Sequence, residues 1–117
     1  MNETNSEKIE KIVRDRKRAH TALSKSSQGY RLFSELDQYT FTDGALEKKE
    51  KELIALGISV YKNCEPCMEW HVNEALKSGA TREQIIEALD VGIEMGGGPA
   101  SVSARFAMDV LDYYSHK

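Results

Sequence analysis

The chain has 117 residues, of which 30% are charged, a formal net charge of −3 and two cysteines. That length fits one domain able to bury a core without disulfide staples. So mild a charge excludes a nucleic-acid footprint and a polybasic membrane patch, and apolar runs such as residues 53–60 fall far short of the ~18 residues that span a bilayer.

The first six residues are polar, lack the apolar core of a signal peptide and read as disordered, so a soluble cytoplasmic protein is expected. Residues 7–23 place Ile9, Ile12, Val13, Ala19 and Leu23 at roughly the helical period. Arg14, Arg16, Lys17 and Arg18 cluster on the same segment and read as a solvated or oligomer-facing side rather than a nucleic-acid contact. His20 reads as a surface or packing residue. Residues 24–27 break the pattern and offer capping hydroxyls. The organisation expected is an N-terminal segment and helical arm over residues 1–26, followed by the main helical domain over 27–117.

A second helix is expected over residues 27–39, with Tyr30, Phe33 and Leu36 as its stripe, and residues 42–44 read as a loop. A third spans about 46–61; Leu53, Leu56, Ile58 and Val60 make its later part apolar on more than one face, which predicts deep burial. Glu52 stands at the threshold of that run. A fourth helix is expected over 65–77, closed by Ser78 and by Gly79 as a left-handed cap. Thr81-Arg82-Glu83-Gln84 fits a capping box, so a fifth helix starts at Arg82 with Ile85, Ile86, Leu89 and Ile93 on its apolar face. Gly96-Gly97-Gly98-Pro99 stops it without the Lys-Ser or Lys-Thr of a phosphate loop, and reads as a tight turn with close backbone packing. The sixth helix keeps Val102, Phe106, Val110, Leu111 and Tyr114 in period. No segment alternates as a strand, so the fold class is all-α with about six helices.

Both cysteines fall in Cys64-Glu65-Pro66-Cys67, with His71 four residues after the second. Pro66 suits a first helical turn, where its missing N–H costs nothing. Cys67 then lies in that turn and His71 one turn on, sharing a face. Free amides and the positive end of the helix dipole stabilise a thiolate there, as a nearby histidine would. The third and fourth helices have too short a connection for anything but an antiparallel hairpin. Glu52 lies about eleven residues before that turn and His71 about eight after, a height difference of only ~4–5 Å. Glu52 can therefore reach His71 or Cys67, directly or through one water. A carboxylate beside an imidazole raises its proton affinity and helps it withdraw a thiol proton.

These residues resemble the carboxymuconolactone decarboxylase superfamily, in its alkylhydroperoxidase D-like branch. The similarity covers about residues 46–113, and more weakly back to Tyr30. It is carried by Lys51-Glu52-Leu53-Ile54-Ala55-Leu56, the Cys64–Cys67 motif with His71, Gly79-Ala80-Thr81 with Glu83-Gln84-Ile85, and the Gly96–Ala100 turn. An acid twelve residues before the C-x-x-C and a histidine four after it meet the family's active-site spacing. The resemblance implies an all-helical fold built on a central helical hairpin and assembled into trimers or hexamers. It implies thiol peroxidase or disulfide reductase chemistry with an antioxidant role, no cofactor, and a separate thiol reductant. Glu52 and His71 would be the relay, and Cys64 and Cys67 the redox pair. Many peroxidase members carry His or Tyr immediately before the second cysteine, where this chain has Pro66. The chain is also shorter than two-repeat members, so other subunits would have to complete the core.

Either cysteine suits the attacking role: Cys67 by its place in the helix, Cys64 by analogy with thioredoxin-like motifs. Three other readings of the same residues are an inert buried hairpin, a zinc site of Cys64, Cys67, His71 and Glu52, and a non-enzymatic redox-sensing oligomer. The superfamily's name adds a lactone decarboxylase, a branch that generally lacks paired cysteines.

Overall fold

In a computed structural model of the chain, residues 3–115 are described, and every regular element among them is a helix. The helices are α1 (Glu3–Ser26), α2 (Gln28–Thr40), α3 (Lys48–Tyr61), α4 (Glu65–Lys77), α5 (Arg82–Gly96) and α6 (Gly98–Ser115). None is long and apolar enough to cross a membrane.

Local chemistry accounts for the boundaries. Ser27 Oγ accepts the Tyr30 N–H at 3.0 Å and starts α2 immediately after α1 ends. Before α3, Asp43 Oδ1 accepts the Lys48 N–H at 2.7 Å and Glu50 Oε1 accepts the Glu47 N–H at 2.8 Å. The Thr81–Gln84 capping box closes reciprocally, at 3.1 and 3.0 Å, and α5 begins at Arg82 as the sequence predicts. Gly79 ends α4 with φ +96°, a conformation that a side chain would strain.

The α3–α4 hairpin is the centre of the fold. Helix α3 packs mainly on α4 and α5, α6 closes over α4 and α5, and α1 touches α2, α4 and α6. The core joins Leu56 and Val60 of α3, Met68 and Val72 of α4, Ile85 and Leu89 of α5, and Phe106, Val110 and Leu111 of α6. At the α3–α5 crossing, a Cβ on Gly92 would sit 2.6 Å from the Gly57 carbonyl oxygen, so only glycine permits this approach. Ile9, wholly buried, fastens α1 to this body.

Three expectations change. Helix α1 reaches back to Glu3, so residues 3–6 are helical rather than disordered; Met1 and Asn2 lie outside the described residues. Its stripe is buried only in its first half: residues 17–23, Ala19 and Leu23 included, are exposed. Helix α3 is not buried all round. Ile54, Ile58 and Tyr61 stay exposed and, with Val91 and Met95 of α5, line an apolar cavity of about 490 Å³. Helix α2 does carry its apolar stripe, yet buries no residue, and Phe33 is 65% exposed. Of the other helices it packs appreciably only on α1, so among the described residues no other helix covers that face.

Candidate active site

Cys64 is the N-cap of α4, and its N–H donates to the Ser59 carbonyl at 3.0 Å, tying the motif to the end of α3. Asn63, with φ +54°, makes the turn between the two helices, and its side-chain oxygen accepts from Ser103 Oγ at 2.8 Å. Pro66 occupies the first turn and Cys67 follows it there. Cys64 and Cys67 are joined as a disulfide with their Cα atoms 5.2 Å apart. Both are half-buried, so burial does not separate an attacking from a resolving sulfur. Between them, Glu65 pairs with Lys8 of α1 at 2.8 Å.

One turn into α4, His71 Nδ1 lies 2.7 Å from Glu52 Oε1. Glu52 is only 1% exposed. Its burial follows from its place on the stripe with Leu56, Ser59 and Val60, the face of α3 turned inward. Lys48, one turn earlier, donates to Glu52 Oε2 at 2.7 Å and to Glu74 Oε1 at 3.0 Å. Burial pushes the Glu52 carboxyl up, but the hydrogen bonds and charges of His71 and Lys48 outweigh it and hold the group below its ordinary range. An ionised carboxylate only accepts, so Nδ1 carries the hydrogen and Nε2 of the neutral ring keeps its lone pair. For Lys48, burial lowers the ammonium's proton affinity, and the bonds to Glu52 and Glu74 more than restore it, for a net rise.

Phe41, just after α2, stacks on His71 with ring centroids 5.5 Å apart at 29°. It also lines a cavity of about 430 Å³ with Lys48, Glu52, Glu74 and Trp70. An aromatic wall thus comes from outside the motif. Sequence spacing held no signal for Phe41, which lies in the α2–α3 connection.

A second buried carboxylate also went unread. Glu69, wholly buried on α4, pairs with Arg16 of α1 and accepts the Tyr114 hydroxyl of α6. Tyr114 is raised well above its usual range, by burial first and then by its bond to the carboxylate and that group's charge. Arg16 also lies over the Trp70 ring, 4.7 Å from its centroid. The basic cluster is therefore not uniformly solvated: Arg16 turns inward to neutralise Glu69, while Arg14, Lys17 and Arg18 are exposed. The available signal was Glu69's position on the apolar stripe of Met68, Val72 and Ala75.

The structure thus brings Glu52 and His71 into direct contact, joins Cys64 to Cys67, and sets Cys67 and His71 one turn apart on one face of α4. Among the described residues no group of three or more His, Cys, Asp or Glu side chains is placed to hold a metal ion.

A profile of the carboxymuconolactone decarboxylase family matches residues 28–109. An uncharacterised protein of Cupriavidus necator is 46% identical over 70 residues, covering 60% of this chain and 62% of its own. The uncharacterised protein 4 of the cox locus of Paracoccus denitrificans is 45% identical over 80 residues, 68% of this chain and 72% of its own. Among solved structures, a carboxymuconolactone decarboxylase family protein of Legionella pneumophila superposes with a TM-score of 0.87 at 36% identity, covering 92% of this chain and 97% of that one. A family member from Thermotoga maritima, described with a possible role in the antioxidative response, superposes at 0.84 with 29% identity over 91% of each chain.

Proposed function

The chain belongs to the carboxymuconolactone decarboxylase family, and from that premise we propose that it is a thiol-dependent oxidoreductase, a peroxidase or disulfide reductase with an antioxidant role. The observation that carries this reading is the Cys64–Cys67 pair at the start of α4, one turn from a histidine bonded to a buried carboxylate. Cys64, Cys67, His71 and Glu52 are the residues that act.

In the reduced protein, His71 Nε2 accepts a thiol proton while Nδ1–H stays on Glu52, and the thiolate is held by the α4 N-terminus. The thiolate attacks one oxygen of a hydroperoxide and breaks the O–O bond. The sulfur becomes a sulfenic acid, and the leaving alkoxide takes the proton from His71 and departs as an alcohol. The second thiol attacks the sulfenic sulfur, forming Cys64–Cys67 and releasing water. With a protein disulfide as oxidant, the same thiolate passes through a mixed disulfide instead. An external dithiol, most simply a small redox protein, returns the pair to thiols. A pair that must be re-reduced belongs in the reducing cytoplasm.

We assign the uncovered faces to self-association. The α2 stripe and the Ile54–Ile58–Val91–Met95 groove are two apolar surfaces left without cover in one chain, and a second copy buries both.

The test is a thiol count and intact mass on reduced protein before and after one equivalent of an organic hydroperoxide, in wild type, Glu52→Gln and His71→Gln. Loss of both thiols with no oxygen added, slowed in both variants, is expected. Two thiols that survive the oxidant remove the peroxidase reading; mixed-disulfide trapping with single Cys→Ser variants then tests the disulfide exchange that remains.

A further inference from the structure

Glu52 has two oxygens and two partners. His71 takes Oε1, and Lys48, one turn earlier on the same helix, takes Oε2 at 2.7 Å. Lys48 reaches across to Glu74 Oε1 of α4 at 3.0 Å, three residues beyond His71, so its ammonium ties α3 to α4 on the far side of the relay. Both side chains line the cavity with Phe41 and Trp70, but that of Lys48 is 36% exposed and that of Glu52 only 2%.

We propose that Lys48 is a positioning residue of the relay: by occupying Oε2 it keeps Glu52 an ionised acceptor with Oε1 aimed at His71 Nδ1. The proposal rests on the dithiol reading above. Without the ammonium, Oε2 would be a buried acceptor with no donor. The carboxyl group would then rotate to find one or take up a proton, and a protonated Glu52 can offer its O–H to Nδ1 in place of accepting from it. That reverses the imidazole tautomer and puts a hydrogen on Nε2, the nitrogen needed as base. Lys48 thus fixes the direction in which the relay moves a proton.

The charged groups around Glu52 are few. Lys48 faces it from α3 and His71 from α4. Glu74 of α4 stands behind the ammonium and pairs through its other oxygen with Lys77 at 3.6 Å, and Asp37 of α2 and Asp43 of the α2–α3 connection line the same cavity. On its other side α3 meets α5 backbone to backbone at Gly57 and Gly92. Removing Lys48 takes away the ammonium on Glu52 itself and leaves Glu52 beside Asp37, Asp43 and Glu74, of which Glu74 keeps Lys77. Glu52 and His71 together then hold a proton to higher pH, and the neutral, correctly oriented imidazole forms later in a titration.

The experiment compares reduced wild type, Lys48→Met, Lys48→Gln and Lys48→Arg. It follows the rate of thiol alkylation by iodoacetamide against pH, with the His71 ring signals titrated by NMR in the same samples. Neither readout needs a peroxide. In Lys48→Met and Lys48→Gln the half-maximal pH of alkylation and the His71 titration should both move up by about one pH unit. Lys48→Arg, which keeps a cation in reach of Oε2, should return both toward wild type. Profiles that superimpose in folded variants, or a loss of amplitude and melting temperature with no pH shift, overturn the proposal and leave Lys48 a purely structural bridge. Hydroperoxide turnover separates the two readings: a wild type inert to peroxide with the shift intact sinks only the peroxidase, and an active wild type without the shift sinks only Lys48.

Discussion

Glu52 and Glu69 are the two buried carboxylates of the central hairpin, one on α3 and one on α4, and the same side chain is put to opposite uses. Glu69 is bonded to Arg16, which keeps its charge at any pH the protein meets, and to the Tyr114 hydroxyl, whose proton is held more tightly than usual. No partner there exchanges a proton near neutrality. Glu52 is bonded to His71, the side chain whose ordinary titration falls in that range, and to a lysine open to the cavity. Burial makes both carboxylates dependent on their partners; the partner decides whether the site only holds helices together or, on the function proposed above, also moves protons. Glu69 joins α1, α4 and α6 and fastens the arm to the body, whereas Glu52 joins only the two helices that frame the dithiol.

The largest effect that would sharpen this contrast is catalytic. Glu52→Gln should slow dithiol oxidation by roughly 10³-fold, as loss of positioned acid–base help does, with melting temperature little changed. Rapid thiol titration measures it, and an unaffected rate would place Glu52 with Glu69 as structure.

Next comes stability. Glu69→Ala strands Arg16 and the Tyr114 hydroxyl and should cost about 3 kcal/mol in urea unfolding, the low end for a broken buried pair because Arg16 is only half-buried. The pH profile of thiol reactivity in the folded fraction should stay as in wild type. A displaced profile would mean that the two carboxylates are coupled and the contrast is false.

Tyr114→Phe is gentler, at about 1.5–2 kcal/mol for a hydrogen bond to a charged group. Its signature is in alkali. Because the folded tyrosine's pKa is raised, its contribution is complete below the ordinary value of ~10 and is lost as pH rises through the folded value. Stability of the wild type should therefore fall with pH above ~10, and the variant should lack that slope.

The smallest effect lies at the acid end. Glu52's folded pKa is lowered, so its contribution is present above the ordinary ~4.3 and is lost as pH falls through the folded value. Urea midpoints of wild type should drop across that window more steeply than those of Glu52→Gln. Parallel curves would mean that the Lys48 and His71 bonds do not hold the carboxylate ionised.

Much of this was legible without coordinates. Glu52 and His71 could be paired because two local facts suffice: the rise per residue in a helix, and a connection too short for any but an antiparallel return. The start of α5 followed from a four-residue capping pattern, and the end of α4 from one glycine. Glu69 was missed although it lies on the apolar stripe of α4, because its partners are 53 and 45 residues away on helices whose docking no local pattern states. The α2 stripe was legible as a stripe, but the same period describes a helix packed on its own chain and one waiting for another. Its exposure follows from α2 packing appreciably on α1 alone among the other helices.

By itself, then, the sequence determined the number and order of the helices, the capped starts of α2 and α5 and the glycine end of α4, since these depend on interactions within about one turn of the chain. The Cys64–Cys67 pair and the Glu52–His71 contact were within its reach too, since one hairpin contains them. Only the tertiary structure decided that Arg16 turns inward to Glu69, that Phe41 walls His71, and that Lys48, whose bond to Glu52 is local to α3, also bridges to Glu74. Those contacts join α1 to α4, the α2–α3 connection to α4, and α3 to α4. Their geometry is set by how whole helices pack, because a buried charge must find its partner wherever the core leaves one within reach.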